Sequence, residues 1–178
     1  MRILKTGWMI LMLALLVLPA AAYAETKISV VDVDILLNES KAGKSVQAQL
    51  KEKREGFQKE FSKKEAELRE IEKQIVGKKD SLSAEEFAKQ RKDFESKLLE
   101  TRKLLQTRRA SLDKGLNESM QELRANIMQV TAEIAEEQKY QLVLNRDSIV
   151  IVEKSMDITQ QVLAKLDAKI SSIKLKVE

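Results

Sequence analysis

The chain has 178 residues, 43% of them hydrophobic and 34% charged, with 32 Lys and Arg against 28 Asp and Glu. It contains no cysteine and no histidine. That excludes disulfides, thiol chemistry, the usual zinc ligands and a histidine base, so an exported fold would have to hold by packing or by oligomerisation.

Arg2 and Lys5 precede an apolar run from Trp8 to Leu18, followed by Pro19 and then Ala22-Tyr23-Ala24. A basic start, a short apolar run and a small-residue site predict a secretory signal peptide over 1–24, cleaved after Ala24. The run falls short of the ~20 apolar residues that span a bilayer. Removing this leader leaves 30 basic against 28 acidic side chains, a balance with no nucleic-acid signature. The remaining chain, 25–178, suffices for one domain.

Ile28 to Val33 is β-branched and short, and predicts a strand. Asp34 is a plausible N-cap for a brief helix through Ile35-Leu36-Leu37 that ends near Ala42-Gly43. Strand and short helix make up an N-terminal part of a small β body, 25–42.

The stretch 43–139 has no proline and is dense in the strong helix formers. Its apolar seam runs Val46, Leu50, Phe57, Phe61, Leu68, Ile71, Ile75, then Phe87, Phe94, Leu98, Leu105, Leu112, Leu116, Leu123, Ile127, Val130 and Ile134. Steps of three, four and seven predict two long helices folded into an antiparallel hairpin. The turn falls at 77–83: Gly77 can end the first helix, and Ser83 with Glu86 forms a capping box. At ~1.5 Å per residue the second arm would reach roughly 80 Å, too thin to enclose a core. Polar residues interrupt the seam at Lys53, Lys64, Arg91, Thr101, Arg108 and Ser119, which predicts a bendable pair with a hinge near Gly56.

The second arm is basic in its middle, with Arg102, Lys103, Arg108 and Arg109 and no acid from Thr101 to Leu112. This basic wall would attract anionic headgroups or acidic client segments.

After the hairpin, Gln141-Leu142-Val143-Leu144 and Ile149-Val150-Ile151-Val152 predict two strands joined by a tight turn at Asn145–Ser148. Ser155 or Asp157 would cap a last helix with Ile158, Val162, Leu166, Ile170 and Ile173 on one face, completing the body over 140–178. Three short strands bury little, and their edges invite other chains. Ile28, Val30, Val31, Val33, Leu142, Leu144, Val150 and Val152 are therefore the expected assembly residues of a cyclic homo-oligomer.

Gly43-Lys44-Ser45 ends like a phosphate loop, but Asn38 stands where that motif needs glycine. Carboxylates lie on solvated helix faces. No catalytic, cofactor or metal residue is assigned, and the chain is expected not to be an enzyme.

The segments Ser40-Lys41-Ala42-Gly43-Lys44, Tyr140-Gln141-Leu142-Val143-Leu144 and Asp157-Ile158-Thr159 with Val162-Leu163, around a long charged hairpin, resemble the Skp/OmpH family of periplasmic chaperones. The resemblance spans the chain beyond the leader. It implies a mostly α, α+β fold: a homotrimer whose strands close a shared barrel, with helical arms around a client cavity. It implies ATP-independent holding of unfolded outer-membrane β-barrel proteins in the periplasm. It also implies a lipopolysaccharide site formed by a lysine upstream of a double arginine; Arg108-Arg109 match the pair and Lys97 stands nearest the lysine's place. Competing readings are a structural coiled-coil envelope protein and a lipopolysaccharide or anionic-lipid binder.

Overall fold

The computed structural model describes residues 26–177. The expected signal peptide, 1–24, lies outside the described residues. Strand β1 (Ile28–Val31) leads into helix α1 (Val33–Glu39). Two long helices follow, α2 (Lys41–Gly77) and α3 (Ala84–Gln138), of 37 and 55 residues. Strand β2 (Leu142–Asn145), two 3-10 turns (Arg146–Ser148 and Lys154–Met156) and helix α4 (Thr159–Lys169) complete the order. The fold is mostly helical, with one small two-stranded sheet.

Local chemistry sets the helix ends. Asp32, not Asp34, caps α1: its Oδ1 accepts from the Ile35 N–H at 2.9 Å. The short helix ends earlier than Ala42-Gly43, because Ser40 is at once the C-cap of α1 and the N-cap of α2. The Ser40 hydroxyl accepts from Gly43 N–H at 3.1 Å, which breaks one helix into two at a fixed angle. Gly43 permits that corner, since a Cβ there would stand 2.0 Å from the Leu37 carbonyl oxygen. At the far turn Ser83 and Glu86 form the reciprocal capping box. Two hydrogen bonds from Ser83 hold the Glu86 carboxyl below its usual range.

Helix α3 ends on Lys139 in the left-handed region at φ 58, which turns the chain back onto β1. Lys27 holds that corner, donating to the Gln138 carbonyl at 2.9 Å and lying 4.6 Å over the Tyr140 ring. The strands pair in parallel, Ile28 against Leu142 through Val31 against Asn145. The whole hairpin thus serves as the crossover that a parallel pair requires.

The expected hairpin between 141–144 and 149–152 does not form. Asp157 bridges Val30, and the Ile158 N–H donates to the Val30 carbonyl at 2.9 Å, so β1 has β2 on one side and Asp157 on the other. Residues 146–156 must cross from one edge to the other, and 149–152 belong to that crossing rather than to a strand. Val150 and Ile151 stand 95% and 88% exposed. Neither candidate is the N-cap of α4, which is Ile158 and has no side-chain cap; Asp157, one residue earlier, still meets the helix start, its Oδ1 accepting from Thr159 N–H at 2.9 Å.

The core lies at the root of the hairpin. Leu36, Val46, Leu123, Ile127, Val130, Ile158, Val162 and Leu166 are all buried to 2% exposure or less. Helix α4 packs across α3, where Lys165 bonds Glu137 at 2.6 Å and lies 3.3 Å from Glu133, while Lys169 also bonds Glu133. Ile170 and Ile173 do not extend α4. Its last residue is Lys169, and Ile170 is already extended at φ −134, ψ 123. Ile173 and Leu175 instead return along the hairpin and join the root core.

Candidate client-binding surface of the arms

Beyond Leu50 on α2 and Leu112 on α3 the character of the seam changes. The apolar spacing continues, but the residues are no longer enclosed: Phe57, Phe61, Leu68, Ile71, Phe94, Leu98, Leu104 and Leu105 are all half-buried. Only Ile75 and Thr101 are buried along this outer length. Two helices alone cover one side of each seam residue and leave its flank to solvent.

Shallow grooves result on the hairpin surface. Near the root, Phe57, Phe61, Leu105 and Leu112 floor a groove of about 400 Å³ rimmed by Arg54, Arg108, Arg109 and Asp113. Further out, Leu68, Ile71 and Leu104 floor one of about 420 Å³ between Lys64, Glu67, Lys97 and Glu100. A third, of about 220 Å³, has Ile71, Ile75 and Phe94 near the tip. Each offers an apolar floor with charges of both signs at its rim. Such sites suit weak, adaptable contact rather than recognition of one small molecule.

The polar seam residues divide into two kinds. Thr101 and Ser119 are buried and satisfy their hydroxyls on the carbonyls four residues back, Lys97 at 2.9 Å and Gly115 at 2.8 Å. Arg108 reaches across the arms, with Nε 3.8 Å from Glu60 and its guanidinium 4.9 Å over the Phe57 ring. Lys53, Lys64 and Arg91 are exposed.

Arg102, Lys103 and Arg109 of the basic wall are exposed, as is Lys97. Lys97 does not share a groove with the double arginine. It lines the two outer grooves, while Arg108 and Arg109 line the one nearest the root. Arg108 lies eleven residue steps beyond Lys97, about 17 Å along α3.

Gly56 sits on the exposed face of an uninterrupted α2, with nothing within 4 Å of where a Cβ would stand. Among the residues assigned to assembly, Val30 and Val31 are buried within the chain's own core, Ile28, Val33, Leu144 and Val152 are half-buried, and Leu142 and Val150 are exposed.

Among the described residues no cluster of three His, Cys, Asp or Glu is placed to hold a metal ion. No helix among them is long and apolar enough to cross a membrane.

A family model described as "Outer membrane protein (OmpH-like)" matches residues 27–166. The chain belongs to the OmpH-like family. Its fold is shared with the crystal structure of an OmpH-like protein from Caulobacter crescentus, proposed to be an outer membrane chaperone. The TM-score is 0.82 at 21% identity, covering 87% of this chain and 92% of that one. No curated protein matches the sequence. The OmpH-like match takes in β1, both arms, β2 and most of α4, and stops before residues 170–177.

Three features of the site were not read from the sequence. One is the half-burial of the outer seam, which depends on how many helices surround it. Leu104 is another: it floors the second groove although the seam reading passed over it. The last is the packing of Ile173 and Leu175 on the root, for which the alternation Ile173-Lys174-Leu175-Lys176-Val177 was the available signal.

Proposed function

We propose that this OmpH-like chain is an ATP-independent holdase chaperone of the periplasm. It would bind unfolded outer-membrane β-barrel proteins between its helical arms and keep them from aggregating on the way to the outer membrane. The observation that carries this reading is the seam beyond Leu50 and Leu112, apolar in spacing yet half-open along its length. A rigid spacer would enclose that seam; a holdase uses it. Kinship with a protein proposed to be an outer membrane chaperone supports the same reading. Many shallow contacts acting together hold a client through multivalency, with no deep pocket and no chemical step. It is a binding protein rather than an enzyme, and the leader over 1–24 would deliver it to the periplasm.

The working form is a homotrimer. Support comes from the second edge of β2, which carries no partner strand within the described chain, and from the exposed Val150 and Ile151 of the segment that follows. Closing these edges between copies removes an aggregation hazard and brings three hairpins around one cavity. The arms bend near Gly56, so that cavity adapts to clients of different size.

A test is to dilute a urea-unfolded β-barrel protein into the assembled chain without nucleotide and follow the client's tryptophan anisotropy. A soluble complex of one client per trimer is expected, with the client still unfolded. Absence of a complex at micromolar trimer removes the reading.

A second reading rests on the exposure of Arg102, Lys103 and Arg109, which suits anionic headgroups or lipopolysaccharide. Flotation with anionic vesicles, lost when all three become Ser, would support it; flotation unchanged by the triple variant would reject it.

A further inference from the structure

Residues 170–177 follow α4 without helix or strand, yet they carry the signature of a strand. Ile173 and Leu175 are buried and Val177 half-buried, while Lys174 and Lys176 between them are exposed. This strap lies not on a sheet but against the two long helices at the root of the hairpin.

The helices offer it a backbone-shaped seat. The Gln49 carboxamide on α2 donates from Nε2 to the Ile173 carbonyl at 2.8 Å and accepts at Oε1 from the Leu175 N–H at 3.0 Å. That is the pair of bonds a residue in a parallel strand makes to the residues flanking its partner. Gln49 is held for the task, its Nε2 also 3.1 Å from the Ser45 hydroxyl. On the facing wall α3 has Gly115, where a Cβ would stand 2.4 Å from the Lys176 carbonyl oxygen. One turn on, the Ser119 hydroxyl lies 3.4 Å from the Lys174 carbonyl. The seat therefore grips main chain. From side chains it asks only an apolar group at every second position, because the lysines between point to solvent.

The main-chain bonds of the seat do not depend on the sequence Ile-Lys-Leu-Lys-Val. An extended chain with apolar residues at alternate positions offers the same bonds and an apolar group for each buried position, and that is the pattern of a membrane-facing strand of an outer-membrane barrel. We infer that the groove formed by Gln49, Gly115 and Ser119 is a binding site for one extended, alternating client strand, occupied at rest by the chain's own residues 171–177. The strap competes in cis at high effective concentration, so short or poorly patterned segments do not displace it. A client strand arriving while the rest of the client is held by the arms does. The inference rests on the client-binding reading and adds the class of segment bound and the place where it docks.

Two measurements on the full chain test it. The first uses a fluorescein-labelled peptide of residues 171–177 and a permuted peptide, Ser-Ser-Ile-Leu-Val-Lys-Lys, of the same composition. In the variant Ile173→Asp with Leu175→Asp, whose strap is expelled, the alternating peptide should bind at least tenfold more tightly than to the wild type. It should also bind at least fivefold more tightly than the permuted peptide. Equal affinity for the two chains, or for the two peptides, overturns the proposal. The second uses the wild type, which avoids any folding defect of the variant. Hydrogen exchange of the Leu175 amide should speed at least tenfold when an unfolded β-barrel protein is bound. A bound client with Leu175 still protected overturns the site while leaving the chaperone reading intact. If the chain holds no client, the peptide comparison still decides the site and the chaperone reading fails separately.

Discussion

Two glycines in the middle of long helices should respond in opposite directions to the same substitution. In a helix interior Gly→Ala gains about 0.5–1 kcal/mol from reduced unfolded-state freedom and better propensity. Gly56 should show that gain undiminished, because an added methyl group meets nothing within 4 Å. At Gly115 the methyl would lie 2.4 Å from the Lys176 carbonyl oxygen and 3.3 Å from Val177 Cγ2. Backbone cannot rotate away as a side-chain end can, so either α3 shifts or the strap lifts. Overpacking of this kind costs about 1–3 kcal/mol. The propensity gain is common to both variants, so the difference between them isolates the contact: Gly115→Ala should be less stable than Gly56→Ala by about 1–3 kcal/mol. Urea unfolding followed by far-ultraviolet circular dichroism, at one protomer concentration for both, measures it. Equal stabilisation of the two variants would refute the account of the strap. The same Gly56→Ala protein, with Lys53→Leu and spin labels at Ser81, tests the hinge: distances between arm tips should narrow, and an unchanged distribution would leave Gly56 as a tolerated surface residue.

Lys139→Gly should stabilise the chain by about 0.5–1 kcal/mol, since it relieves a left-handed residue at the end of α3 without touching a contact, and thermal unfolding will show the sign. The α3–α4 ion network sets a pH window. A hydrogen bond from Lys169 holds the Glu133 carboxyl below the usual carboxylate range, so its contribution is present above that range and fades as pH falls through the lowered value. A hydrogen bond to Glu137 raises the Lys165 ammonium above its usual range, so its contribution is present below that range and fades as pH rises through the raised value. Unfolding midpoints should therefore plateau between these limits, and Glu133→Gln should flatten the acid limb; an acid limb identical to wild type would show the network to be idle. Val150→Asp with Val152→Asp should give monomers in sedimentation if the exposed Val150 region meets another copy, because charges buried there would go unpaired; an unchanged oligomeric state would move the interface elsewhere.

The arms were legible in the sequence because helix signals are local. Spacing of three and four, the absence of proline between Gly43 and Lys139, and the Ser83–Glu86 box each act within one or two turns. The sheet was less legible because pairing is not local. The runs at 141–144 and 149–152 look like hairpin partners when only their neighbours are considered. Their placement is decided by β1, more than a hundred residues away, which takes β2 on one edge and Asp157 on the other. The strap is ambiguous in the sequence for a related reason. Ile170 and Ile173 continue the helical spacing of Val162 and Leu166, while Ile173, Leu175 and Val177 follow a period of two, and both patterns share Ile173. What settled the competition was a seat supplied by Gln49 and Gly115 on other elements. The residues of the grooves could be named from the seam, but their openness could not, because burial depends on the number of helices around them.

The open seam of the arms should keep unfolded chains from aggregating. Light scattering of a β-barrel protein diluted from urea, with wild-type chain and with a Phe61→Asp, Leu105→Asp variant that retains the root core, tests it most directly. The wild type at stoichiometric amounts should abolish the rise in scattering without nucleotide, and the variant should lose most of that protection while remaining folded and unchanged in oligomeric state. Scattering unaffected by the wild type, or suppressed equally by the variant, would contradict the claim.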